Sequence, residues 1–499
     1  MGDMRNASFI TREELRQHFI ESGWWVSIPL TTVLAHWVYE GENRLDANYY
    51  AQEGQSVYRI VADSGFPLKQ LGEIAKAIWY PSRFKRIRTD STKGIPFIGA
   101  TEIIQYRPET KYYISPNSNT EIENLIAKEN SIFVTRSGSV GRISFFSKRL
   151  QGKALSEHVI RVEVDEESGY VYAFLSSSIG QGLILRSVFG SSVSEIEPHH
   201  LASVPVPLPP KDVQLEIHNQ IMRAYALRDE ANDLLDEADS LLHEKLGLPI
   251  FDESLVPYLT APSVPRLPAN RPEMPHPKAF SIMASELENR FDASFHVPVA
   301  RTVVKLLRSG KYAPVQLGSM TADIFIPPRF KRIYVHKEYG VPFLQGSHLP
   351  QMRPYDLKYI SLKANAKHID ECLIRTGYVL VTRSGSVGRI GLVSWYMDKW
   401  AASEHLLRIV PDNSRGHPGY IAAFLMTPYG QHQLAAKIYG GVVDELTEGD
   451  TGEVWIPNAP MEIQQEIGER VVQAFEKKDE ANLIEENAIH KVERLLENS

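Results

Sequence analysis

An α+β fold written twice is the prediction for this sequence: two mixed α/β globular domains, each followed by a long helix, the two helices pairing as an antiparallel coiled coil with pseudo-twofold symmetry. Three observations predict it: an internal repeat about half the chain long, a heptad stripe closing each repeat, and a proline-rich stretch between them. A length of 499 residues calls for several domains. The 43% hydrophobic and 23% charged residues exclude a collagen, a disordered tail or a polytopic membrane protein. Cys372 is the single cysteine, so a disulfide framework or a zinc site of paired thiolates is excluded, in keeping with a reducing cytoplasm.

The repeat is read by sliding the chain along itself. Glu42-Asn43-Arg44-Leu45-Asp46-Ala47 returns 246 positions later as Glu288-Asn289-Arg290-Phe291-Asp292-Ala293. At the same offset Arg83-Phe84-Lys85-Arg86-Ile87 returns as Arg329-Phe330-Lys331-Arg332-Ile333, and Gly94-Ile95-Pro96-Phe97 as Gly340-Val341-Pro342-Phe343. One insertion later, the ten residues from Val134 to Ile143 recur letter for letter from Val381 to Ile390, and Ser156-Glu157-His158 recurs as Ser403-Glu404-His405. After three more, Gly180-Gln181 matches Gly430-Gln431, and Asp229-Glu230-Ala231-Asn232 matches Asp479-Glu480-Ala481-Asn482. The offset changes only between matched blocks, where loops absorb insertions. The chain is a tandem duplication.

Taken in order, residues 1–41 form an N-terminal extension packing on the first domain. Its start leads from Met1 into Arg12-Glu13-Glu14 without a secretory pattern, and its apolar stretch from Trp24 to Tyr39 is short for a bilayer span and holds Pro29 and His36. No membrane is expected. Residues 42–210 form the first globular domain, in which Ser131-Ile132-Phe133-Val134 and Arg142 to Phe146 read as strands flanking a Gly/Ser turn. The prolines from Pro205 to Pro210 end it, and 211–247 is a long helix. Its apolar stripe passes through Ile217, Ile221, Ala224, Arg228, Ala231, Leu235, Ala238 and Leu242 in steps of four and three. Residues 248–281, with eight prolines from Pro249 to Pro277, form a stiff linker. The second globular domain covers 282–460. The second helix, 461–499, repeats the stripe at Ile467, Val471, Ala474, Lys478, Ala481, Glu485, Ala488, Val492 and Leu495. A helix of about 36 residues is about 54 Å long, which bounds the separation of domains at opposite ends of the rod.

Charge is distributed by segment. Residues 211–246 hold four basic and nine acidic side chains and residues 461–499 hold five and ten, a net −5 each. The chain total is −7, so the rest carries +3, bunched in short basic runs. An acidic balance thus covers two local basic faces suited to nucleic acid.

The Gly/Ser loop from Arg136 to Arg142 and its twin from Arg383 to Arg389 offer backbone N–H groups, hydroxyls and arginines, the groups that hold phosphate oxygens. Neither is a Walker loop, since no Gly-Lys-Ser/Thr ends it. Phosphate-backbone contacts are therefore assigned to Arg136, Ser137, Ser139, Arg142, Arg383, Ser384, Ser386 and Arg389, and to the runs Arg83, Lys85, Arg86 and Arg329, Lys331, Arg332. The Ser-Glu-His tripeptides form no triad, because neighbours on a strand point to alternate faces; their expected role is structural hydrogen bonding. His199 and His200 lack ligands at useful spacing, and no nucleotide loop, methyltransferase motif or two-carboxylate nuclease site stands out. No catalytic residue, metal site or cofactor site is assigned.

This ordered set of motifs resembles the specificity subunits of type I restriction–modification systems. The resemblance spans residues 42–499. It rests on Arg44-Leu45-Asp46-Ala47 with Tyr49-Tyr50, Gly94-Ile95-Pro96-Phe97-Ile98, the run from Gly377 to Gly385, and Pro207-Leu208-Pro209-Pro210 running into a helix. It implies two target-recognition domains that each read half of a split site on double-stranded DNA. It also implies helices that set the spacer and carry two methyltransferase subunits, with a translocating nuclease subunit as a further partner. S-adenosylmethionine would then sit on the methyltransferase partner, and the complex would serve phage defence. Val213-Gln214 and Ile463-Gln464 depart from the family pattern, as does the eroded Pro457-Asn458-Ala459-Pro460.

Residues identical in both copies cannot by themselves distinguish two half-sites, so base reading is expected where the copies differ. Candidates are Gly99, Thr101 and Glu102 against Gln345, Ser347 and His348, and Lys148-Arg149 against Trp395-Tyr396. Two other classes compete: a DNA-mimic or scaffold protein binding a restriction complex through its acidic helices, and a hydrolase using the Ser-Glu-His tripeptides.

Overall fold

The computed structural model describes residues 52–497 except 119, 187, 189–193, 254–255, 257–279, 288–289, 294 and 440–444. The N-terminal extension, Arg44 to Tyr50 and most of the proline-rich linker lie outside the described residues. The architecture is mixed α+β.

Period-two alternation builds the sheets. In the first lobe, an antiparallel sheet runs in the order Ala77–Trp79, Val159–Glu163, Ser131–Thr135, Ile143–Phe145. Ile132 and Val134 face one way, with Ile143, Phe145 and the buried helix Ser168–Ser176. Phe133 faces the other way, against Ile98, Leu155 and Val159. A smaller sheet runs Arg88–Thr89, Tyr113–Ile114, Ile95–Ile98, Ala154–Leu155, its last pairing parallel. The second lobe repeats both sheets in the same order: Thr321–Phe325, Leu406–Pro411, Val379–Thr382, Ile390–Leu392, and Tyr334–Val335, Lys358–Ser361, Gly340–Leu344, Ala401–Ala402.

A buried arginine joins the layers in each lobe. Arg161 donates to the carbonyls of Val159 and Leu155 at 2.7 Å and of Ser156 and Leu125 at 3.1 and 3.3 Å. Arg408 does the same to Ser403, Leu406, Ala402 and Cys372. Burial pulls both guanidiniums down to about 10. Replacing Arg408 by methionine is expected to cost about 3 kcal/mol, because four carbonyls lose their donor in a closed interior; denaturant unfolding measures it.

The proline clusters have a structural use. Pro205–Pro207 pairs with Leu68–Gln70, and Trp455–Pro457 with Pro314–Gln316, closing each lobe immediately before its helix. Tyr170 and Tyr420 donate to the carbonyls of Pro207 and Pro457 at 2.5 and 2.6 Å. The helices follow, Lys211–Leu246 and Met461–Glu497, the first ended by Gly247 at φ 63°. Gly419 lies so close to the second helix that a Cβ would stand 2.1 Å from the Gly468 carbonyl oxygen, which only glycine permits.

The long helices contact each other through Glu216–Lys491, Glu230–Lys477 at 2.6 Å, Glu237–Arg470 at 3.6 Å and Lys245–Glu466 at 2.7 Å. Partner numbers on the second helix fall as those on the first rise. Every stripe residue named above is buried except Leu495, which is half-buried beside buried Leu496. Ile217 and Ile221 share a core with the first lobe and with Val492; Leu235, Leu242, Ile467 and Val471 share one with the second lobe. Each lobe therefore rests on both helices. Leu248 and Phe251, at the start of the expected linker, pack into the second core, so the chain leaves that core later than proline content suggests.

The lobes also touch each other. Tyr106 N–H donates to the Pro350 carbonyl at 3.1 Å, Met352 N–H donates to that of Ile104 at 2.8 Å, and Gln105 bridges Gln351. At the 246-residue offset, Gln105 meets its own counterpart.

Between the helices lies a buried ionic group. Glu485 is fully buried and receives Arg228, Arg353 at 3.1 Å and the Tyr172 hydroxyl at 2.6 Å. Burial opposes its charge, but the two guanidiniums prevail and hold its carboxyl below the usual range. The matching half is different. Leu235 stands where Glu485 would be, and buried Lys478, the counterpart of Arg228, sits over the rings of Tyr106 at 4.4 Å and Phe475 at 5.6 Å. Burial pulls the Lys478 ammonium down to about 8. Between about pH 8 and the ordinary lysine value of 10.5 the unfolded chain binds the extra proton, so stability rises with pH across that window. Lys478→Met is expected to add about 1–3 kcal/mol at neutral pH and to flatten that rise, as read by melting temperature against pH.

Candidate nucleic-acid interface

In each lobe the Gly/Ser loop joins two central strands. Gly138 and Gly141, like Gly385 and Gly388, have φ between 73° and 88°, a conformation that favours glycine at every turn of the loop. The loop base is tied by the threonine before it. Thr135 Oγ1 accepts Arg142 N–H at 2.9 Å and Thr382 Oγ1 accepts Arg389 N–H at 2.9 Å. Gln181 and Gln431 donate to the Gly141 and Gly388 carbonyls at 3.0 and 2.9 Å, which explains the recurring Gly-Gln pair.

The Ser-Glu-His tripeptides connect this loop to the basic runs. His158 Nδ1 lies 2.6 Å from Ser137 Oγ, and His405 Nδ1 the same distance from Ser384 Oγ. The tripeptides lie in turns rather than on strands, and the Glu157 carboxylate, 3.7 Å from His158 Nε2, accepts Arg86 at 2.6 and 2.7 Å, while Glu404, 3.6 Å from His405 Nε2, accepts Arg332. The second arginine of each run also lies over an aromatic ring, Arg86 on Phe97 and Arg332 on Phe343, both at 4.9 Å. Burial works against the Glu157 charge, but its backbone hydrogen bond and Arg86 hold the carboxyl below its usual range. Loop, tripeptide and run form one cluster, present twice. The tripeptides thus have the structural hydrogen-bonding role expected of them, while the partners they join, the loop serine and the second arginine of each run, were not legible in the sequence.

The cluster divides the expected backbone contacts. Arg83, Lys85, Arg329, Lys331, Ser139, Ser386 and Arg389 are exposed, and Ser137 and Ser384 half-buried. Arg329, though 66% exposed, lies 3.6 Å from Glu445. Arg136 and Arg383 are corrected: each is 6% exposed and bound internally, Arg136 to Glu195 and Glu197 over the Tyr80 ring, Arg383 to Glu445 at 2.9 Å and the Leu446 carbonyl. Their charge is spent holding the loop, not offered to a phosphate. Arg142 is corrected too, since it pairs with Asp356 of the other lobe over the Tyr355 ring. Arg86 and Arg332 are pinned as described.

The base-reading candidates divide in the same way. Glu102 accepts the Gly99 N–H at 3.0 Å, and His348 Nδ1 accepts the Gln345 N–H at 3.2 Å, so matching side chains cap matching turns. Burial pushes the His348 imidazole down to about 4, leaving it neutral at pH 7. Arg149 binds Asp236 and Tyr396 donates to Glu486, the matched position on the second helix; both fasten a lobe to its helix. Asp229 and Asp479 add to this by accepting the N–H of Lys148 and of Tyr396 at 3.2 and 3.3 Å. Glu102, His348, Arg149 and Tyr396 are thus engaged within the chain, as are the backbone N–H groups of Gly99 and Gln345. Thr101, Ser347, Lys148 and Trp395 remain exposed.

Among the described residues no group of three His, Cys, Asp or Glu is placed to hold a metal, and no helix is long and apolar enough to cross a membrane.

Residues 64–230 match the family model described as the type I restriction modification DNA specificity domain. Among solved structures, the S subunit of a type I restriction-modification system from M. genitalium is 13% identical with a TM-score of 0.31, covering 87% of this chain and 95% of that one. The HsdS subunit from Thermoanaerobacter tengcongensis is 14% identical with a TM-score of 0.27, covering 87% and 97%. A chain from a structure on complex assembly and conformational transition of the type I R-M system gives 14%, 0.27, 87% and 96%. No curated protein matches.

Proposed function

From the match of residues 64–230 to the type I restriction modification DNA specificity domain, we propose that the whole chain is the DNA-recognition subunit of a type I-like restriction–modification or related phage-defence complex, acting in the cytoplasm. Each lobe is a target-recognition domain reading half of a bipartite site. The two helices form an antiparallel coiled coil with pseudo-twofold symmetry, set the distance between half-sites and carry two methyltransferase subunits, which bind S-adenosylmethionine. A translocating nuclease subunit completes a restricting assembly. The chain itself is not an enzyme.

One observation carries this reading. Gln105 pairs with Gln351, its own counterpart, between the reciprocal bonds Tyr106 to Pro350 and Met352 to Ile104. A residue meets its own counterpart only at a local twofold axis. Two like lobes about such an axis present two like basic clusters, the arrangement that suits a duplex with two half-sites. The scaffold or mimic reading finds less support, because many helix carboxylates are engaged within the chain, as in Asp236 with Arg107 and Arg149, Glu230 with Lys477 and Glu466 with Lys245.

Purified chain with S-adenosylmethionine is expected to leave DNA unmethylated. Adding an amino-methyltransferase partner is expected to produce methylation at a two-part motif, read by single-molecule sequencing. Methylation by the chain alone, or a motif independent of it, refutes the proposal.

A further inference from the structure

Immediately after each basic run, the outer strand of the small sheet carries one residue that faces a partner across the sheet. In the first lobe the Arg88 guanidinium lies 5.0 Å from the centre of the Tyr112 ring. In the second, the matching positions are Tyr334 and Lys358, and the Lys358 ammonium lies 5.1 Å from the Tyr334 ring. Cation and ring have exchanged strands while their contact is kept. The surrounding backbone is the same: Arg88 is in register with Ile114, and Tyr334 with Ile360. In both lobes a glycine is needed at the next strand. A Cβ on Gly94 would lie 2.6 Å from that of Tyr113, and one on Gly340 2.8 Å from the Ile360 carbonyl oxygen. The frame is therefore constant and only the side chains it displays differ. The rings stay open to solvent, Tyr112 at 55% and Tyr334 at 42%, and both cations are exposed.

We propose that Arg88 with Tyr112, and Tyr334 with Lys358, are the specificity-determining pairs of the two lobes, each contacting base edges in the major groove of duplex DNA. The inference rests on the functional reading above and adds to it which side chains read. The runs ending at Arg86 and Arg332 lie two residues away, so a lobe whose run tracks the phosphates brings the pair to the groove. Neighbouring strands stand about 4.8 Å apart, and base pairs are stacked about 3.4 Å apart. Moving the cation from one strand to the next thus moves the donor by more than one base pair. Arginine offers a planar fork that fits the O6 and N7 of guanine, while lysine offers a point charge without that fit. The ring fixes the cation in each case and presents an apolar edge of its own. One backbone frame with exchanged contents reads two different half-sites.

The test uses the full chain and a duplex library with two randomised segments separated by a variable spacer. Wild type is expected to enrich a two-part motif. The variant Arg88→Tyr/Tyr112→Lys, which gives the first lobe the second lobe's pair, is expected to change preference by about tenfold at one or two base pairs of one half. The other half of the motif stays as it was. Tyr334→Arg/Lys358→Tyr is expected to alter only the opposite half. Because all four side chains are exposed, melting temperatures should match wild type; if one variant unfolds, the reciprocal variant decides. Unchanged motifs, or weaker binding spread evenly over all sequences, overturn the inference and leave the functional reading standing. A wild-type chain that enriches no two-part motif overturns the functional reading, and this inference with it.

Discussion

Replacing Glu485 by alanine is expected to cost about 3–5 kcal/mol, because it leaves the buried Arg228 and the half-buried Arg353 without their carboxylate. Arg228 comes from the first helix and Arg353 from the second lobe, and Tyr172 of the first lobe donates to the same carboxylate. One side chain thus joins both lobes and both helices. Urea unfolding of the variant should show a lower midpoint. The sign with pH follows from the depressed carboxyl: its contribution is complete above the ordinary carboxylate range and is lost as pH falls from that range through the lower value held in the folded chain. Changing Glu485, Arg228 and Arg353 together to leucine or methionine is expected to restore much of the loss, since no buried charge then remains unpaired. If the single variant is as stable as wild type, the ionic group is not closed to water as described.

Reversing Arg83, Lys85, Arg329 and Lys331 to glutamate is expected to weaken DNA binding by more than about 100-fold and to lower the log–log salt slope by about 0.9 for each phosphate contact removed. These four cations are exposed at the edge of the duplicated clusters. Binding titrations between low and moderate salt measure both quantities. Arg136→Gln provides the contrast. Its guanidinium is bound to Glu195 and Glu197, so its loss should lower the melting temperature and leave the salt slope unchanged. A steep change in slope for Arg136→Gln, with none for the exposed four, would reverse the division made here between holding and contacting arginines.

The duplication was legible because identity at a fixed offset needs no structure, and the helices because a stripe in steps of four and three implies one buried face. Strands beside the Gly/Ser loop were legible for the same reason, as Ile132, Phe133 and Val134 alternate between two cores. What a charge does was not. Arg136 and Arg142 stand in one loop with the same side chain, yet one folds back on two glutamates about sixty residues away and the other reaches Asp356. Spacing in sequence carries no information about such partners. The same holds for Glu102 and His348, unlike residues that cap equivalent turns.

By itself the sequence determined that the chain is one unit repeated, with strands, loops and helices in a given order, because those features are set by local periodicity and by recurrence. Only the tertiary structure decided which arginines stay free, since ion pairing joins residues that are distant along the chain and burial makes an unpaired charge costly. It also decided where the two copies part company: Glu485 binds two arginines at the position that apolar Leu235 holds in the other copy, and Arg88 with Tyr112 stands where Tyr334 stands with Lys358. Folding brought matched positions to matched places, and the chemistry at those places then became comparable.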